Sequence, residues 1–154
     1  QGVNGCGKSS LLRLLMGQAV PHSGTVVLSS GVRVSYVGQE TDVPVGTLAD
    51  YARAQGVEEH RFKAILRKMG FSRAQLERDA SCFSTGERRK VLLAASLCQQ
   101  AHLYLWDEPL NYIDVFSRMQ IEELLLEAAP SLLFVEHDTA FVNRVATGVL
   151  LVRR

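Results

Sequence analysis

The sequence lacks long apolar runs and a strong charge of either sign. Its 154 residues contain no run of about 18 apolar residues, the length that a membrane-spanning helix needs. The formal net charge is only +1, so bulk charge indicates neither a nucleic-acid partner nor a membrane surface. Apolar residues make up 47% of the chain, which is typical of a globular core. We therefore expect one domain without a membrane segment.

Cysteine is scarce, and its spacing excludes the common cysteine-based sites. The three cysteines, Cys6, Cys82 and Cys98, lie far apart and include no C-x-x-C pair. This spacing supplies neither a zinc site nor a disulfide framework. It suits a reducing compartment, so we expect a cytoplasmic protein.

The rest of the chain is organised around its first nine residues. Residues 2–9 read GVNGCGKS and fit G-x-x-x-x-G-K-[ST], the phosphate-binding P-loop or Walker A motif. Glycine lets successive backbone N–H groups turn towards a phosphate, while Lys8 adds a mobile positive charge and the Ser9 hydroxyl can ligate Mg²⁺. The alternative is a glycine-rich turn with a chance Lys-Ser pair. The residues expected to contact the nucleotide here are Asn4, Gly5, Cys6, Gly7, Lys8, Ser9 and Ser10.

A P-loop normally follows a buried strand, and no strand sequence precedes Gly2. The first residue is Gln1 rather than Met. Together these observations predict a chain truncated at its N-terminus, cut from a longer polypeptide.

Strand and helix patterns alternate along the chain, which predicts an α/β fold with a mainly parallel sheet. Residues 43–83 differ, because they read as helices only and include a capping box at Ser72 and Gln75. We expect one domain over 1–154, with 43–83 forming a helical subdomain inserted into the P-loop core. The predicted strands are 25–28, 33–37, 103–106, 132–135 and 149–152, and the main predicted helices are 10–16, 47–55, 58–69, 85–98, 115–128 and 139–145.

An acidic pair follows the apolar run Leu103–Trp106, at the end of a buried strand. Asp107 is placed to orient Mg²⁺ through its water shell, and Glu108 can act as a general base on an attacking water. The alternative is a strand end with solvated acids. The P-loop about a hundred residues upstream favours the first interpretation, the Walker B half of an NTPase site.

A basic run, Arg88 to Lys90, begins the helix that follows Ser84. A run of like charges is usually a solvated helix face, and that is our prediction. A nucleic-acid contact is the alternative.

The order of these motifs resembles that of the ATP-binding cassette (ABC) ATPases. The resemblance implies that Gln39 couples Mg²⁺ and ATP to the helical subdomain, and that His137 is the switch histidine which contacts the γ-phosphate. The sequence FSTGE at 83–87 resembles the family's signature motif, whose Ser84 and Gly86 would contact ATP held by an opposite cassette. Thr85 departs from the family's usual glycine. The resemblance also adds Asp114 to the nucleotide-contacting residues and implies Mg²⁺ ligation by Ser9, Gln39 and Asp107.

The stretch DEPLNYID at 107–114 is similar to the DEPTNHLD of ABC-F proteins, which carry two cassettes in one chain, have no membrane domain and act on the ribosome. Residues 115–122 extend the resemblance to the second cassette of the antibiotic-resistance branch, the ribosomal protection proteins. It implies an ATPase with ATP and Mg²⁺ as cofactors, a second cassette in the same polypeptide and the large ribosomal subunit as partners. The resemblance does not identify the antibiotic.

Two other functions use the same motifs. The motor subunit of an ABC membrane transporter has the same cassette chemistry, and Asn111 after Pro109 favours the ABC-F reading over it. A non-hydrolysing structural cassette is disfavoured because Lys8, Asp107 and Glu108 are all present. We further expect that this chain alone does not hydrolyse ATP.

Overall fold

A parallel sheet forms the centre of the molecule. A computed structural model of the chain describes residues 2–3, 5–43 and 45–152. In these residues three strands, β1 (Val34–Val37), β2 (Leu103–Asp107) and β3 (Leu132–Val135), pair in the order β1-β2-β3, and both pairings are parallel. The predicted α/β class and parallel sheet are confirmed.

Helices supply the crossovers that parallel strands require. Four helices connect β1 to β2 and one helix connects β2 to β3, in agreement with the alternation predicted from the sequence. In the described ranges the α-helices are α1 (Lys8–Leu15), α2 (Leu48–Ala54), α3 (Glu59–Lys68), α4 (Arg73–Glu77), α5 (Thr85–Cys98), α6 (Val115–Ala128) and α7 (Thr139–Val145), with a 3₁₀ turn at Ala80–Cys82. None of the helices in the described ranges has the length and apolar character that crossing a membrane requires.

The carboxyl ends of the strands meet at one edge of the sheet. Val37 lies opposite Trp106, and Asp107 lies opposite Val135. Residues that directly follow the three strands are therefore brought together, although they are far apart in the sequence.

A buried hydrogen-bond chain fixes α5 against the central strand. The indole Nε1–H of Trp106 donates to Ser96 Oγ at 3.0 Å, and Ser96 Oγ lies 2.7 Å from Ser35 Oγ on β1. All three side chains are buried, so the pairing satisfies polar groups that would otherwise be costly to bury. The strand end at Asp107 is thereby held in place from α5.

The helices between β1 and α5 follow their sequence signals closely. Phe62 and Leu66 on α3, and Met69 at its C-cap, are fully buried, as the apolar period of this segment predicts. The capping box at Ser72 and Gln75 is present at the start of α4. Whether residues 43–83 act as a separate subdomain stays a prediction.

Two predicted strands are wrong. Neither 25–28 nor 149–152 is a strand in the structure, and neither joins the sheet that the described residues form. Val27 is 81% exposed and Leu151 is 63% exposed. Apolar composition suits a strand, but a strand forms only where a neighbouring strand satisfies its backbone groups. That neighbour is decided by tertiary structure and cannot be read from the segment itself.

Candidate functional site

The loop before α1 has the backbone that phosphate binding needs. Gly5 (φ 77°) and Gly7 (φ 100°) are left-handed, a conformation that glycine adopts without strain. A Cβ built at either position would meet no atom within 4 Å, so the requirement is conformational and the space beside the loop is open. The predicted contact residue Asn4 lies outside the described residues. Cys6 is half-buried within the loop and is not among the residues that line the cavity described below.

Helix α1 begins without a side-chain cap. Gly7 occupies the N-cap position and offers no side-chain acceptor to the first N–H groups of the helix. Helices α2 to α7 each have an N-cap side chain that accepts a backbone N–H, from Thr47, Glu58, Ser72, Ser84, Asp114 and Asp138. An uncapped helix start of positive polarity is a ready anion site. The helix turns back in a Schellman motif at Gly17, where the sequence predicts its end, with Gln18 N donating to Arg13 O at 3.1 Å.

Lys8 folds across its own loop. Its Nζ donates to the carbonyl oxygen of Gly2 at 2.8 Å and to that of Val3 at 3.1 Å. The ammonium group is thus held at the loop by two neutral acceptors. A phosphate oxygen would form a stronger, charge-assisted hydrogen bond with the same group.

The P-loop, two strand ends and the turn after β3 surround one cavity of about 490 Å³. Its position brings together most of the residues predicted to hold the nucleotide. A larger cavity of about 1120 Å³ follows β3 and the segment after α7, but its lining is mostly apolar, so we take the smaller one as the candidate site. The smaller cavity is lined by Gly5, Gly7, Lys8, Ser9, Ser10, Gln39, Glu108 and His137.

Asp107 is the residue best suited to bind a cation. It is 2% exposed, and among buried side-chain oxygens of the described residues its Oδ1 is the one without a hydrogen-bond partner. A buried carboxylate oxygen is costly unless it is paired or coordinates a metal. In the described part of the chain, no group of three or more His, Cys, Asp or Glu side chains is arranged so that it could hold a metal ion. Mg²⁺ needs no such cage, because it is commonly held by one or two protein oxygens, waters and phosphates. Asp107, Ser9 and Gln39 therefore fit Mg²⁺ bound together with a nucleotide.

Glu108 faces the cavity from a left-handed backbone. Its φ is 51°, which is uncommon outside glycine. The amide of Asn111 donates to Glu108 Oε2 at 2.7 Å, and His137 Nε2 lies 3.8 Å from Oε1, beyond hydrogen-bond distance. One carboxylate oxygen is thus fixed by the turn that follows, while the other faces His137.

The predicted solvated face at Arg88 to Lys90 is wrong. Arg89 is completely buried, and its guanidinium donates to the carbonyls of Gly38, Asp107 (2.8 Å), Glu108 (2.6 Å) and Pro109 (3.1 Å). Burial lowers the pKa of Arg89, and the nearby carboxylates of Asp107, Glu136 and Glu108 act against that shift. Arginine remains charged under ordinary conditions.

The neighbours of Arg89 are also engaged with the protein. Arg88 donates to the carbonyls of Phe83 (3.1 Å) and Ser81 (3.1 Å). The Nζ of Lys90 lies 3.0 Å from Asp114 Oδ2, and its side chain is 12% exposed. One signal could have shown this: the nearly continuous apolar sequence of α5 predicts a helix buried on most of its circumference. Arg89 lies one turn before the fully buried Leu93, so its charged group then faces the interior.

Sequence reasoning also missed Glu136, the first residue of the turn after β3. Its Oε2 accepts from the backbone N–H of Leu110 at 3.1 Å, and its Oε1 accepts from those of His137 (2.7 Å) and Asp138 (3.2 Å). No pattern in the sequence marks this role, because the contact joins two turns that are 26 residues apart.

The structure places Ser84, Gly86 and Asp114 away from the cavity. Ser84 caps α5, and its Oγ accepts from Glu87 N at 3.2 Å while Glu87 Oε2 accepts from Ser84 N at 2.8 Å. A Cβ at Gly86 would lie 2.5 Å from the carbonyl oxygen of Tyr112, so only glycine fits there. The start of α5, with Ser84 and Gly86, therefore lies beside the turn that precedes α6.

Asp114 caps α6 and is strongly held. Partial burial opposes the shift, but hydrogen bonds from Ser117 and then the Lys90 ammonium bring the pKa of Asp114 well below its ordinary value. The carboxylate of Asp114 is therefore an anion at every physiological pH.

Comparison with known proteins shows the family and the fold of this chain. The family described as ABC transporter matches residues 1–111. The ATP-binding protein Uup of Caulobacter vibrioides is 39% identical over 94% of this chain and 23% of its own length. The ribosome protection protein VmlR of Bacillus subtilis is 32% identical over 98% of this chain and 28% of its own. The chain thus spans about a quarter of the length of these curated relatives, which are ABC-F type proteins.

A solved structure shows the same fold. The archaeal ribosome recycling factor, crystallised in complex with a ribosomal stalk protein, superposes with a TM-score of 0.78 at 25% identity. The match covers 97% of this chain and 31% of that one. The family model covers well over half of the residues, and the cassette fold agrees with it. The chain belongs to the ATP-binding cassette family, as an ABC-F type ATPase cassette.

Proposed function

We propose that this chain is the ATP-binding and hydrolysing cassette of an ABC-F protein that acts on the ribosome. One observation carries the ATPase part. A single cavity gathers the uncapped start of α1, Lys8, Glu108 and His137. The residue directly before Glu108 is Asp107, which has a buried carboxylate oxygen without a hydrogen-bond partner. This combination of an anion site, a cation ligand and a carboxylate base is what phosphoanhydride hydrolysis requires.

Nucleotide binding uses the loop and the first turn of α1. The N–H groups from Gly5 to Ser10 cradle the phosphates. The backbone N–H of Cys6 donates to the Val3 carbonyl at 3.2 Å and exchanges this acceptor for a phosphate oxygen. Lys8 exchanges its two carbonyl acceptors for phosphate oxygens. Asn4 belongs to the same stretch of the motif, and its contribution rests on the sequence alone.

Mg²⁺, when bound, neutralises charge that develops on the transferred phosphoryl group. Ser9, Gln39 and Asp107 are the residues that would hold it. Gln39 follows β1, so the same side chain connects the cation to the helices that come after it.

Glu108 acts as the general base for hydrolysis. It takes a proton from a water whose oxygen attacks the γ-phosphorus, and the bond from that phosphorus to the bridging oxygen of ADP breaks. The hydrogen bond from Asn111 leaves the other carboxylate oxygen available for this water. His137 faces the same end of the cavity and donates to the γ-phosphate.

The remaining nucleotide residues serve a second cassette in the same polypeptide. Ser84, Gly86 and Asp114 lie outside this cavity on an exposed edge, where they are available to ATP held by another cassette. The relatives are about four times as long as this chain, which leaves room for a second cassette. We propose that the helices of 43–83 form the subdomain that presents this edge.

The ribosomal part of the proposal is supported by the similar proteins. One is a ribosome protection protein, and the superposable structure is a ribosome recycling factor. On this basis we propose action in the cytoplasm at the large ribosomal subunit, with antibiotic resistance by ribosomal protection as the finer assignment.

Co-sedimentation of the full-length protein with ribosomes tests the proposal. With ATP, the Glu108→Gln variant should bind nucleotide, fail to turn it over and remain in the ribosome pellet. The wild type should be released after hydrolysis, and Lys8→Ala should not bind in an ATP-dependent manner. ATP turnover without any nucleotide-dependent ribosome association would disprove the ribosomal part. Recovery in a membrane fraction would point to a transporter motor instead.

A further inference from the structure

The turn that carries Glu108 is strained. Glu108 has φ 51° and Tyr112, four residues later, has φ 65°, both in the left-handed region that side chains disfavour. Backbone strain of this kind persists only where the surroundings hold it. The conformation directs the Glu108 carboxylate into the cavity, so whatever holds the turn also sets the position of the base.

Arg89 holds the carbonyl side of this turn. Its guanidinium, which has five N–H donors, contacts the carbonyls of three successive residues, Asp107, Glu108 and Pro109. A fourth carbonyl, that of Gly38, belongs to the residue directly before Gln39. One rigid fork therefore ties together the end of β1, the end of β2 and the strained turn.

Burial of the Arg89 guanidinium costs free energy of desolvation. Burying a guanidinium removes it from water, and the acceptors of Arg89 are backbone carbonyls rather than a carboxylate. Arg89 is not part of the cavity lining, and neither is Glu136. Neither side chain can act on the reacting atoms, so any effect on the chemistry must pass through the residues they hold.

Glu136 holds the N–H side of the same region. Its two oxygens accept from Leu110 in the turn and from His137 and Asp138 after β3. Thus Arg89 satisfies C=O groups at 107–109 while Glu136 satisfies the next N–H group, at residue 110. Glu136 also joins this turn to the backbone of His137.

We propose that Arg89 is a positioning residue for the catalytic turn, with Glu136 as its counterpart. Arg89 fixes the left-handed backbone of Glu108 and holds the start of the Gln39 loop to it. Because Arg89 lies five residues after Ser84 on α5, the same side chain ties the start of that helix to the base. This inference rests on the proposed function, in which Glu108 is the base.

The test is a double-mutant cycle in the full-length protein. The variants are Arg89→Met, Glu108→Gln and the pair, with Arg67→Met as a matched control because Arg67 is exposed on α3. ATP affinity, single-turnover hydrolysis and thermal melting are measured for each. Arg89→Met should lower the hydrolysis rate about 10- to 100-fold, as expected when a supporting contact is lost, and should leave ATP affinity within about threefold. Arg89→Lys, which keeps the charge but loses the planar fork, should recover part of the rate.

The cycle separates positioning from mere stability. If Arg89 acts through Glu108, adding Arg89→Met to Glu108→Gln causes no further loss of the residual rate. Additive losses, or a wild-type rate in Arg89→Met, would overturn the proposal. A wild-type rate in Glu108→Gln would instead show that the proposed base is wrong, and the positioning role with it.

Glu136→Gln keeps the proposal testable if Arg89→Met does not fold. The change preserves size and replaces one acceptor oxygen with an NH₂ group that cannot accept from these N–H groups. We expect a lower hydrolysis rate at unchanged ATP affinity, again without effect in the Glu108→Gln background. A wild-type rate in a folded Glu136→Gln protein would overturn the pairing of the two residues.

Discussion

The starts of α1 and α5 are both assigned to phosphate groups, yet they are built differently. At α1 the N-cap is Gly7, which supplies no side-chain acceptor. At α5 the N-cap is Ser84, in a reciprocal capping box with Glu87, and Gln75 donates to Glu87 Oε1 at 2.6 Å. The α1 start thus leaves its N–H groups to a ligand, whereas the α5 start already has a carboxylate of its own in place.

The glycines at the two helix starts differ in the same way. Gly5 and Gly7 are needed for their positive φ, with open space beside them. Gly86 has an ordinary helical backbone but lies against the carbonyl of Tyr112. The first loop is therefore shaped to receive a group from outside, and the second is shaped by close packing within the chain. We expect α1 to determine nucleotide affinity and α5 to contribute mainly when a partner cassette brings its own ATP.

The strongest test of this difference removes the base on the α1 side. Glu108→Gln keeps the shape of the side chain but cannot accept the proton, so turnover in the full-length protein should fall about 10²- to 10⁴-fold. Binding of ATP, measured by titration calorimetry, should be retained. Glu123→Gln on the exposed face of α6 is the matched control. Turnover equal to that of the wild type would refute the assignment.

A second test concerns affinity. Lys8→Ala removes a charge-assisted partner of the phosphates, worth about 1.5–3 kcal/mol, so the dissociation constant for ATP should rise about 10- to 150-fold. Calorimetric titration measures this directly. Lys68→Ala serves as a control, because Lys68 forms an exposed ion pair with Glu127 at 3.0 Å. Unchanged affinity in Lys8→Ala would show that the loop does not bind phosphate as proposed.

The glycines can be compared by stability. Gly86→Ala should destabilise the protein by about 1–3 kcal/mol, because the new Cβ would overlap the Tyr112 carbonyl oxygen. Gly5→Ala should cost about 1–2 kcal/mol from backbone conformation alone. Gly148→Ala is the control, since no atom lies within 4 Å of its built Cβ and its φ is not positive. Denaturant titration gives the free energy of unfolding of each. Equal losses in the free energy of unfolding for Gly86→Ala and Gly148→Ala would show that packing against the Tyr112 carbonyl does not require glycine at position 86.

Much of this molecule could be predicted from the sequence, because its signals are local. The P-loop at 2–9, the capping boxes at Ser72 and Ser84 and the apolar run before Asp107 each specify their structure within a few residues. The convergence of Gln39, Glu108 and His137 on the P-loop cavity follows from parallel strands that end at one edge.

The rest depends on contacts between distant residues. Arg89 bonds to carbonyls 18 to 51 residues away, and its burial is decided by where those carbonyls meet. The absent strands at 25–28 and 149–152 likewise depend on neighbours that their own sequences do not specify. A local pattern cannot report either kind of information.

The smallest expected effect concerns the carboxylate at the α5 start. Partial burial opposes the shift, but hydrogen bonds from Gln75 and Ser84 and the charge of Arg78 lower the pKa of Glu87 below its ordinary value. A carboxylate with a lowered pKa stabilises the folded state above its unfolded pKa of about 4.3, and this contribution is lost as the pH falls through the folded pKa. Glu87→Gln should therefore lower the free energy of unfolding at pH 7 by less than about 1 kcal/mol, and by less still towards pH 3.

Denaturant titration of the wild type and Glu87→Gln between pH 7 and pH 3 measures this convergence. Glu77→Gln is the matched control, because Glu77 forms an exposed i,i+4 ion pair with Arg73 at 3.2 Å and takes no part in a capping box. Stability differences that stay constant over the whole pH range would show that the Glu87 charge does not support the α5 start. The difference between the two helix starts would then rest on the Ser84 side-chain cap of α5, which α1 lacks, and not on the charge of Glu87.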